Sequence, residues 1–393
     1  MRMSKLQRRS SLILLVACAA GQAHSQSNDL FSLSLAELMN IEVVTASKKK
    51  ENYLDAPSVI TVISSQEIEA FGARHIKDIL QRATNLFLFD SGTFMATGVS
   101  MPAGATQHLN NHVLYLINGR PMRESQNGGV HTDINLLLPV ELIERIEIIR
   151  GPGSVLYGSN AFSGTINFIT RKSNESYVAS AATQIESNGY RKLGAGFGAS
   201  SENSNINVYA NTLDESGQKL SVVDERMTSD SRAQNLQGDS IFIDAQYHGL
   251  KLMVMSSEIT TPIFSGAFVW QNDSDIKTQR RYFDLGYDLS FNDNWSASIN
   301  LTYNKSQRFI YATDTVRESE FLSDGYLYEA TVFGEISESL NLVSGFVIDH
   351  VQGDLYGRGG KYKTIRKSAY AQIDYQFLES SKLIGKRAIK QCA

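Results

Sequence analysis

The chain has 393 residues, 42% of them hydrophobic and 20% charged, with a formal net charge of -4. That length suggests two domains rather than one, and that apolar content excludes a wholly disordered chain. A slightly acidic balance with no lysine-rich or arginine-rich block past the first residues leaves no electrostatic footprint for a nucleic-acid partner.

At the N-terminus, Arg2, Lys5, Arg8 and Arg9 precede a short apolar run from Leu12 to Ala20, and small residues follow at Gly21-Gln22-Ala23 and Ala23-His24-Ser25. This is the pattern of a secretory signal peptide over residues 1–25, too short to anchor the chain as a membrane helix. Leu15-Val16-Ala17-Cys18 also fits a lipid-attachment motif that would retain Cys18, and both readings stay open. The other cysteine is Cys392, so an exported chain has no disulfide framework and relies on packing and strand pairing. No run of about twenty apolar residues follows the signal, which leaves strands as the means of crossing a bilayer.

After an extension over residues 26–55, short strands and short helices mix between residues 56 and 172. Val59 to Ile63 predicts a strand, and Ser64-Ser65-Gln66-Glu67 is a capping box that satisfies the free amides of a new helix. A second helix is predicted around His75 to Arg82. Val113 to Ile117 is an apolar strand, Asn118-Gly119 a tight turn, and Ile146 to Ile149 a further strand ending at Arg150-Gly151-Pro152-Gly153. These elements predict a compact α+β unit.

From residue 173 the pattern changes to strict alternation. Trp295, Ala297, Ile299, Leu301 and Tyr303 point one way, and Ser296, Ser298, Asn300 and Thr302 the other. About ten such segments occur over residues 173–385, near Tyr177, Leu193, Ile206, Ile241, Leu250, Phe283, Trp295, Tyr326, Leu340 and Ala369, each of bilayer-crossing length. Tight connections at His248-Gly249, Asn292-Asp293-Asn294 and Ser337-Glu338-Ser339 alternate with long polar ones after Leu213, Ser256, Tyr303 and His350. Short turns on one side and long loops on the other predict an antiparallel transmembrane β-barrel, whereas a soluble β-sandwich predicts no such asymmetry.

Several motifs carry no chemistry on this reading. The glycines of Gly151-Pro152-Gly153 and Gly158 have the wrong spacing for a dinucleotide loop, and Pro152 removes an amide donor. His108, His112 and His131 lack a cysteine or fixed carboxylate to complete a zinc site, and Asp273-Ser274-Asp275 reads as a solvated acidic pair. No catalytic constellation, metal site or cofactor is expected, and the chain does not read as an enzyme.

The run from Ile143 through Arg150-Gly151-Pro152-Gly153-Ser154-Val155-Leu156-Tyr157-Gly158-Ser159-Asn160-Ala161-Phe162-Ser163-Gly164-Thr165-Ile166-Asn167 resembles the plug-domain core of the TonB-dependent outer-membrane receptors. Leu114-Tyr115-Leu116-Ile117-Asn118-Gly119-Arg120-Pro121 resembles the central strand and turn of that plug. Ile41, Glu42, Val43, Val44, Thr45 and Ala46 resemble the TonB box, and Asp55-Ala56-Pro57-Ser58-Val59 the start of the plug. The likeness runs from about Ile41 to Lys172 and more loosely through the strands, departing where Met101-Pro102-Ala103-Gly104 stands in place of an Ile-Arg-Gly element.

The resemblance implies an outer-membrane location and active uptake of a scarce nutrient. A ferric siderophore is the leading substrate reading, with cobalamin, haem or a sugar as alternatives. Its implied partners are TonB, the nutrient and outer-membrane lipid. The box would add itself as a strand to TonB, and Val43, Val44 and Thr45 suit that extended conformation. Glu144, Arg145, Glu147, Arg150, Gly151 and Pro152 would form a lock that pairs the plug with barrel carboxylates. Phe94, Gln107, His108, Asn110, Asn111, Arg123 and His131 would lie on plug loops facing substrate.

About ten strands cannot enclose such a plug, since plugged lumens belong to barrels of about twenty-two. Residues 386–393 read as a basic, non-alternating tail, and a frameshift or premature stop near Gly385 is one expectation. A non-functional receptor remnant and a passive binding barrel therefore stand beside active uptake. A signalling role is disfavoured by the short stretch between signal and box.

Overall fold

In a computed structural model, the chain is described at residues 42–43, 48, 51–52, 58–91, 96–101, 112–124, 129, 132–151, 153–158, 160–223, 227, 229–262, 275–311, 318–356, 360–378 and 381–392. A two-stranded sheet, β1 (Glu42–Val43) with β2 (Glu51–Asn52), comes first. The plug follows as β3 (Val59–Ser64), α1 (Ser65–Ala70), α2 (Ile76–Leu80), β4 (Phe87–Ser91), β5 (Ala96–Ser100), β6 (Val113–Ile117), β7 (Arg120–Met122), α3 (Thr132–Leu137), β8 (Ile143–Arg150), α4 (Ser154–Tyr157) and β9 (Gly164–Thr170).

Local chemistry places these starts and stops. The Ser64 hydroxyl accepts from the Glu67 amide at 3.3 Å while the Glu67 carboxylate accepts from the Ser64 amide at 2.8 Å, so the expected capping box starts α1. The Asp78 carboxylate likewise accepts from the Arg74 and His75 amides, each at 3.0 Å, and α2 begins one residue after His75. Asn118 and Gly119 both hold positive φ, 49° and 78°, which suits the turn between β6 and β7.

Five plug strands form one mixed sheet in the order β3-β8-β9-β6-β7, with β6 parallel to β9 and the other pairs antiparallel. Every residue of β6 is buried, which is why its sequence is a continuous apolar run rather than an alternating one. Gly164 opens β9 where a side chain would collide with the Ile149 carbonyl and the Met101 sulfur, so close packing of three elements requires glycine there.

The second sheet has eleven strands, all antiparallel: β10 (Val178–Ile185), β11 (Arg191–Ser201), β12 (Ser204–Glu215), β15 (Leu236–Tyr247), β16 (Leu250–Pro262), β17 (Asp275–Ser290), β18 (Trp295–Ile310), β19 (Ser319–Ser337), β20 (Leu340–Tyr356), β21 (Tyr362–Leu378) and β22 (Ser381–Cys392). A separate hairpin, β13 (Lys219–Val223) with β14 (Ser229–Ala233), rises from the connection between β12 and β15. Connections at 202–203, 248–249, 291–294, 338–339 and 379–380 are short and alternate with those at 186–190, 216–235, 263–274, 311–318 and 357–361. The expected loop asymmetry is present. The sheet does not close, because β10 and β22 pair on one side only among the described residues.

Its two faces differ as alternation demands. Leu285, Tyr287, Ile299, Tyr328 and Phe346 are exposed on the outer face, while Tyr282, Asp284, Asn304, Glu329 and Asp349 are buried against the plug. On the outer face the rings of Tyr303, Tyr326 and His350 line up across β18, β19 and β20 at 5.0 and 6.2 Å, an aromatic row of the kind that marks a bilayer interface. Inside, Tyr209, Phe242, Met253, Met255 and Tyr282 join the plug's main apolar cluster.

One boundary is corrected. Residues 386–392 do not break away as a tail, because β22 pairs with β21 from Ser381–Leu378 through Cys392–Arg366. Ladder bonds are made by the backbone, so lysine and arginine are compatible with a strand at a sheet edge, where charge also deters unwanted pairing.

The plug–barrel interface as candidate functional site

Charged side chains of the plug meet the polar inner face of the barrel at separate points. Arg120, just past the Asn118-Gly119 turn, donates from Nε to Asp284 at 3.1 Å, from Nη1 to Glu329 at 2.7 Å and from Nη2 to the Thr302 hydroxyl at 2.9 Å. Arg123 donates to Asp349 at 2.5 Å and to the Tyr157 carbonyl at 2.8 Å. Nearer the start of β17, the strand that carries Asp284, Arg280 donates to Asp133 in the first turn of α3 from Nε at 2.7 Å and Nη2 at 3.2 Å, with both side chains fully buried. Lys192 of β11 donates to both oxygens of Glu141, at 2.8 and 2.7 Å.

Neutral contacts fill in between. The Asn118 amide donates to Asp244 of the wall at 3.0 Å and, within the plug, to Thr170 at 2.8 Å, while His75 Nδ1 lies 2.7 Å from the Leu136 carbonyl of the plug itself. Charges taken out of water in this way hold a position only when paired and hydrogen-bonded, and removing one partner costs about 3–5 kcal/mol. The interface therefore fixes the plug at discrete points, and among the described residues no sheet runs continuously from the plug into the wall.

The N-terminal segment is held differently. Val43 of β1 is fully buried against Ile60 and Ile149, and among the described residues β1 pairs with the two residues of β2 alone. Lys48 reaches Glu329, donates to the Tyr370 hydroxyl at 3.2 Å, and lies 4.7 and 5.0 Å from the ring centres of Tyr370 and Tyr157. Burial pushes the Lys48 ammonium below the ordinary lysine range, against the opposing pull of Glu329.

The expected lock is redistributed. Arg145 bonds Glu147 at 2.9 Å and Glu144 at 2.5 Å, and Arg150 bonds Thr61 at 2.7 Å and the Thr84 carbonyl, so these contacts lie inside the plug rather than on barrel carboxylates. Gly151 holds φ +113°, and its amide donates to the Ser163 carbonyl at 2.9 Å. Strand β8 lies between β3 and β9, which turns its charges toward plug neighbours. Arg123, expected among substrate-facing residues, is instead a wall contact through Asp349. Ile41, Val44, Thr45, Ala46, Phe94, Gln107, His108, Asn110, Asn111, His131 and Pro152 lie outside the described residues.

Arg120, Lys48, Asp133 and Glu141 were not singled out by sequence reasoning. Arg120 carried the one available signal, a charge directly after an all-apolar strand and a tight turn. Among the described residues no group of three or more His, Cys, Asp or Glu side chains could hold a metal ion.

Residues 52–165 match the TonB-dependent receptor plug domain. The chain is 37% identical over 134 residues to the vitamin B12 transporter BtuB of Vibrio vulnificus, covering 34% of this chain and 21% of that one. Residues 52–165 are thus a plug domain of the TonB-dependent receptor kind. A second relative, the iron-regulated outer membrane virulence protein of Vibrio cholerae, is 34% identical over 139 residues, covering 34% of this chain and 20% of that protein.

The fold extends the likeness beyond the plug. The ferripyoverdine receptor of the Pseudomonas aeruginosa outer membrane superposes with a TM-score of 0.65 at 12% identity, covering 89% of this chain and 54% of that one. The ferric enterobactin receptor of the same organism gives 0.67 at 14% identity, covering 90% and 59%. The chain thus spans about a fifth of the curated relatives it matches (21% and 20%) and over half of these solved structures. All four relatives are named as transporters, receptors or a virulence protein, and none as an enzyme.

Proposed function

We propose that the chain forms the plug and the leading barrel strands of an outer-membrane receptor that takes up a scarce nutrient, with force delivered through TonB at residues 41–46. The observation that carries this reading is the docking of β1. It makes two backbone pairings and inserts one fully buried side chain, Val43, at the margin of the plug. A strand docked through so short a pairing can leave the plug and add itself to a partner's sheet edge, where main-chain bonds supply affinity.

Deletion of residues 41–46 tests it, with ligand binding to cells and energised uptake measured in parallel. Binding is retained and uptake lost if the segment is the point of coupling. Uptake that survives the deletion overturns the reading.

For substrate, the leading proposal is a ferric siderophore. The solved receptors of like fold are named for ferripyoverdine and ferric enterobactin, and one plug relative is named as iron-regulated. Cobalamin is the second reading, favoured by the 37% identity of the plug to a vitamin B12 transporter. Growth under iron limitation with and without the gene, and competition of cobalamin against ferric siderophores for binding, separate the two. Phe94, Gln107, His108, Asn110, Asn111 and His131 are proposed contacts for the outward side of the plug.

A further inference from the structure

The outward face of the eleven-stranded sheet carries an apolar band with rings at both margins. Tyr375 and Phe377, both exposed and stacked at 6.5 Å, stand near the short turns, and the Tyr303–Tyr326–His350 row stands toward the long connections. Just below that row the band is hollowed. Tyr287, Ile299, Ala330 and Phe346 face one another across β17–β20, with Leu301 and Tyr328 one rank nearer the rings. Ala330 offers only a methyl group where its neighbours carry rings and branched chains, and an open, almost wholly apolar groove of about 390 Å³ results.

Charge gathers on the other side of the ring row. Two residues farther toward the long connections, Arg281 and Lys305 are direct partners across β17 and β18, and Lys363 of β21 lies in the same rank. Like charges placed opposite each other on one face weaken a ladder. Other cations on this face are neutralised, Lys277 by Glu258 at 2.6 Å and Lys361 by Asp354 at 3.8 Å. Among the described residues Arg281, Lys305 and Lys363 have no carboxylate at ion-pair distance. Asp324 shares their rank and accepts from Gln352 at 3.5 Å, so the rank keeps an excess of two positive charges.

An excess of two matches one phosphate monoester, which carries close to two negative charges at neutral pH. Arginine and lysine side by side are suited to it, one as a planar fork and the other as a point charge. From the cation rank to the groove the strands run four to six residues, about 13–20 Å. A headgroup phosphate with an extended acyl chain spans that separation. Free phosphate would meet the cations and leave the groove empty.

We propose that this face holds one phosphate-bearing lipid at a fixed place, its phosphate on Arg281, Lys305 and Lys363 and an acyl chain in the groove floored by Ala330. The lipid belongs to the leaflet facing the long connections, because the cations lie beyond the ring row on that side. The site goes beyond the uptake reading and requires only that the sheet stands in a bilayer.

The test is native mass spectrometry of the full chain in uncharged detergent micelles, titrated with dimyristoyl phosphatidic acid. One lipid is retained by the parent. The pair Arg281→Gln with Lys305→Gln weakens retention roughly thirtyfold. Ala330→Trp fills the groove and weakens it without changing charge, while Lys277→Gln, at a neutralised cation, leaves it as in the parent. Dimyristoylglycerol, dihexanoyl phosphatidic acid and inorganic phosphate each supply only part of the ligand and are held less tightly. Equal retention of any of these three, parent-like binding by the double variant or by Ala330→Trp, or an equal loss in Lys277→Gln overturns the proposal. Amide protection of β6, measured on every variant, separates loss of the site from loss of the fold. Binding needs neither TonB nor a nutrient, so the site and the uptake reading stand or fall separately.

Discussion

Arg120→Met is the most demanding single perturbation of the interface. The guanidinium faces two carboxylates, Asp284 at 3.1 Å and Glu329 at 2.7 Å, both nearly inaccessible to solvent. After substitution Glu329 keeps Lys48, but Asp284 keeps only neutral donors, the Thr302 hydroxyl and the Asn300 amide at 3.3 Å. Removing one member of a buried pair costs about 3–5 kcal/mol, so the population of plug detached from this wall rises by about two to three and a half decades. Amide hydrogen exchange of β6 and β7 in micelles reads that population, and protection at Ile117 and Met122 falls accordingly. Arg120→Lys recovers part of it, because an ammonium meets one carboxylate but cannot span both. Adding Asp284→Leu to Arg120→Met restores most of the protection. A single variant within about 0.5 kcal/mol of the parent, or a double variant no better than the single, refutes the reasoning.

Other substitutions test the local claims. Gly164→Ala forces a methyl group against the Ile149 carbonyl and the Met101 sulfur and lowers plug stability by about 1–3 kcal/mol in denaturant unfolding. Ser64→Ala removes the cap of α1, costing about 0.5–2 kcal/mol, and appears as faster exchange at Glu67 and Ile68. For Lys48 the folded-state value lies below the unfolded one, so the undocked segment binds more protons in the window between them. Docking therefore strengthens as pH rises through that window toward the ordinary lysine value. A spin label near Lys48 immobilises over the same range, and Lys48→Met abolishes the dependence.

How much of this was legible depends on distance along the chain. The Ser64–Glu67 box, the Asn118-Gly119 turn and the five buried residues of β6 were readable because each is settled by a few neighbouring residues. The alternation of Trp295 to Tyr303 was equally plain, since a strand's side chains repeat every second residue. The charges were another matter. Arg120, Arg145 and Arg150 all stand beside apolar strands of the plug, and sequence pattern singled out Arg145 and Arg150 rather than Arg120 as wall contacts. Arg120 meets Asp284 across 164 residues and Glu329 across 209, a meeting set by strand register and by how the plug sits in the sheet.

The sequence by itself determined two regimes of structure, a mixed α+β plug and a run of two-faced strands with unequal connections. It could do so because caps, turns and side-chain period are short-range properties of the backbone. Only the tertiary structure decided which wall strand each plug charge meets, that Arg145 bonds Glu144 and Glu147 beside it, and that residues 386–392 lie in the sheet. Ion pairs and edge strands depend on where distant backbones come to lie, and no local pattern encodes that position.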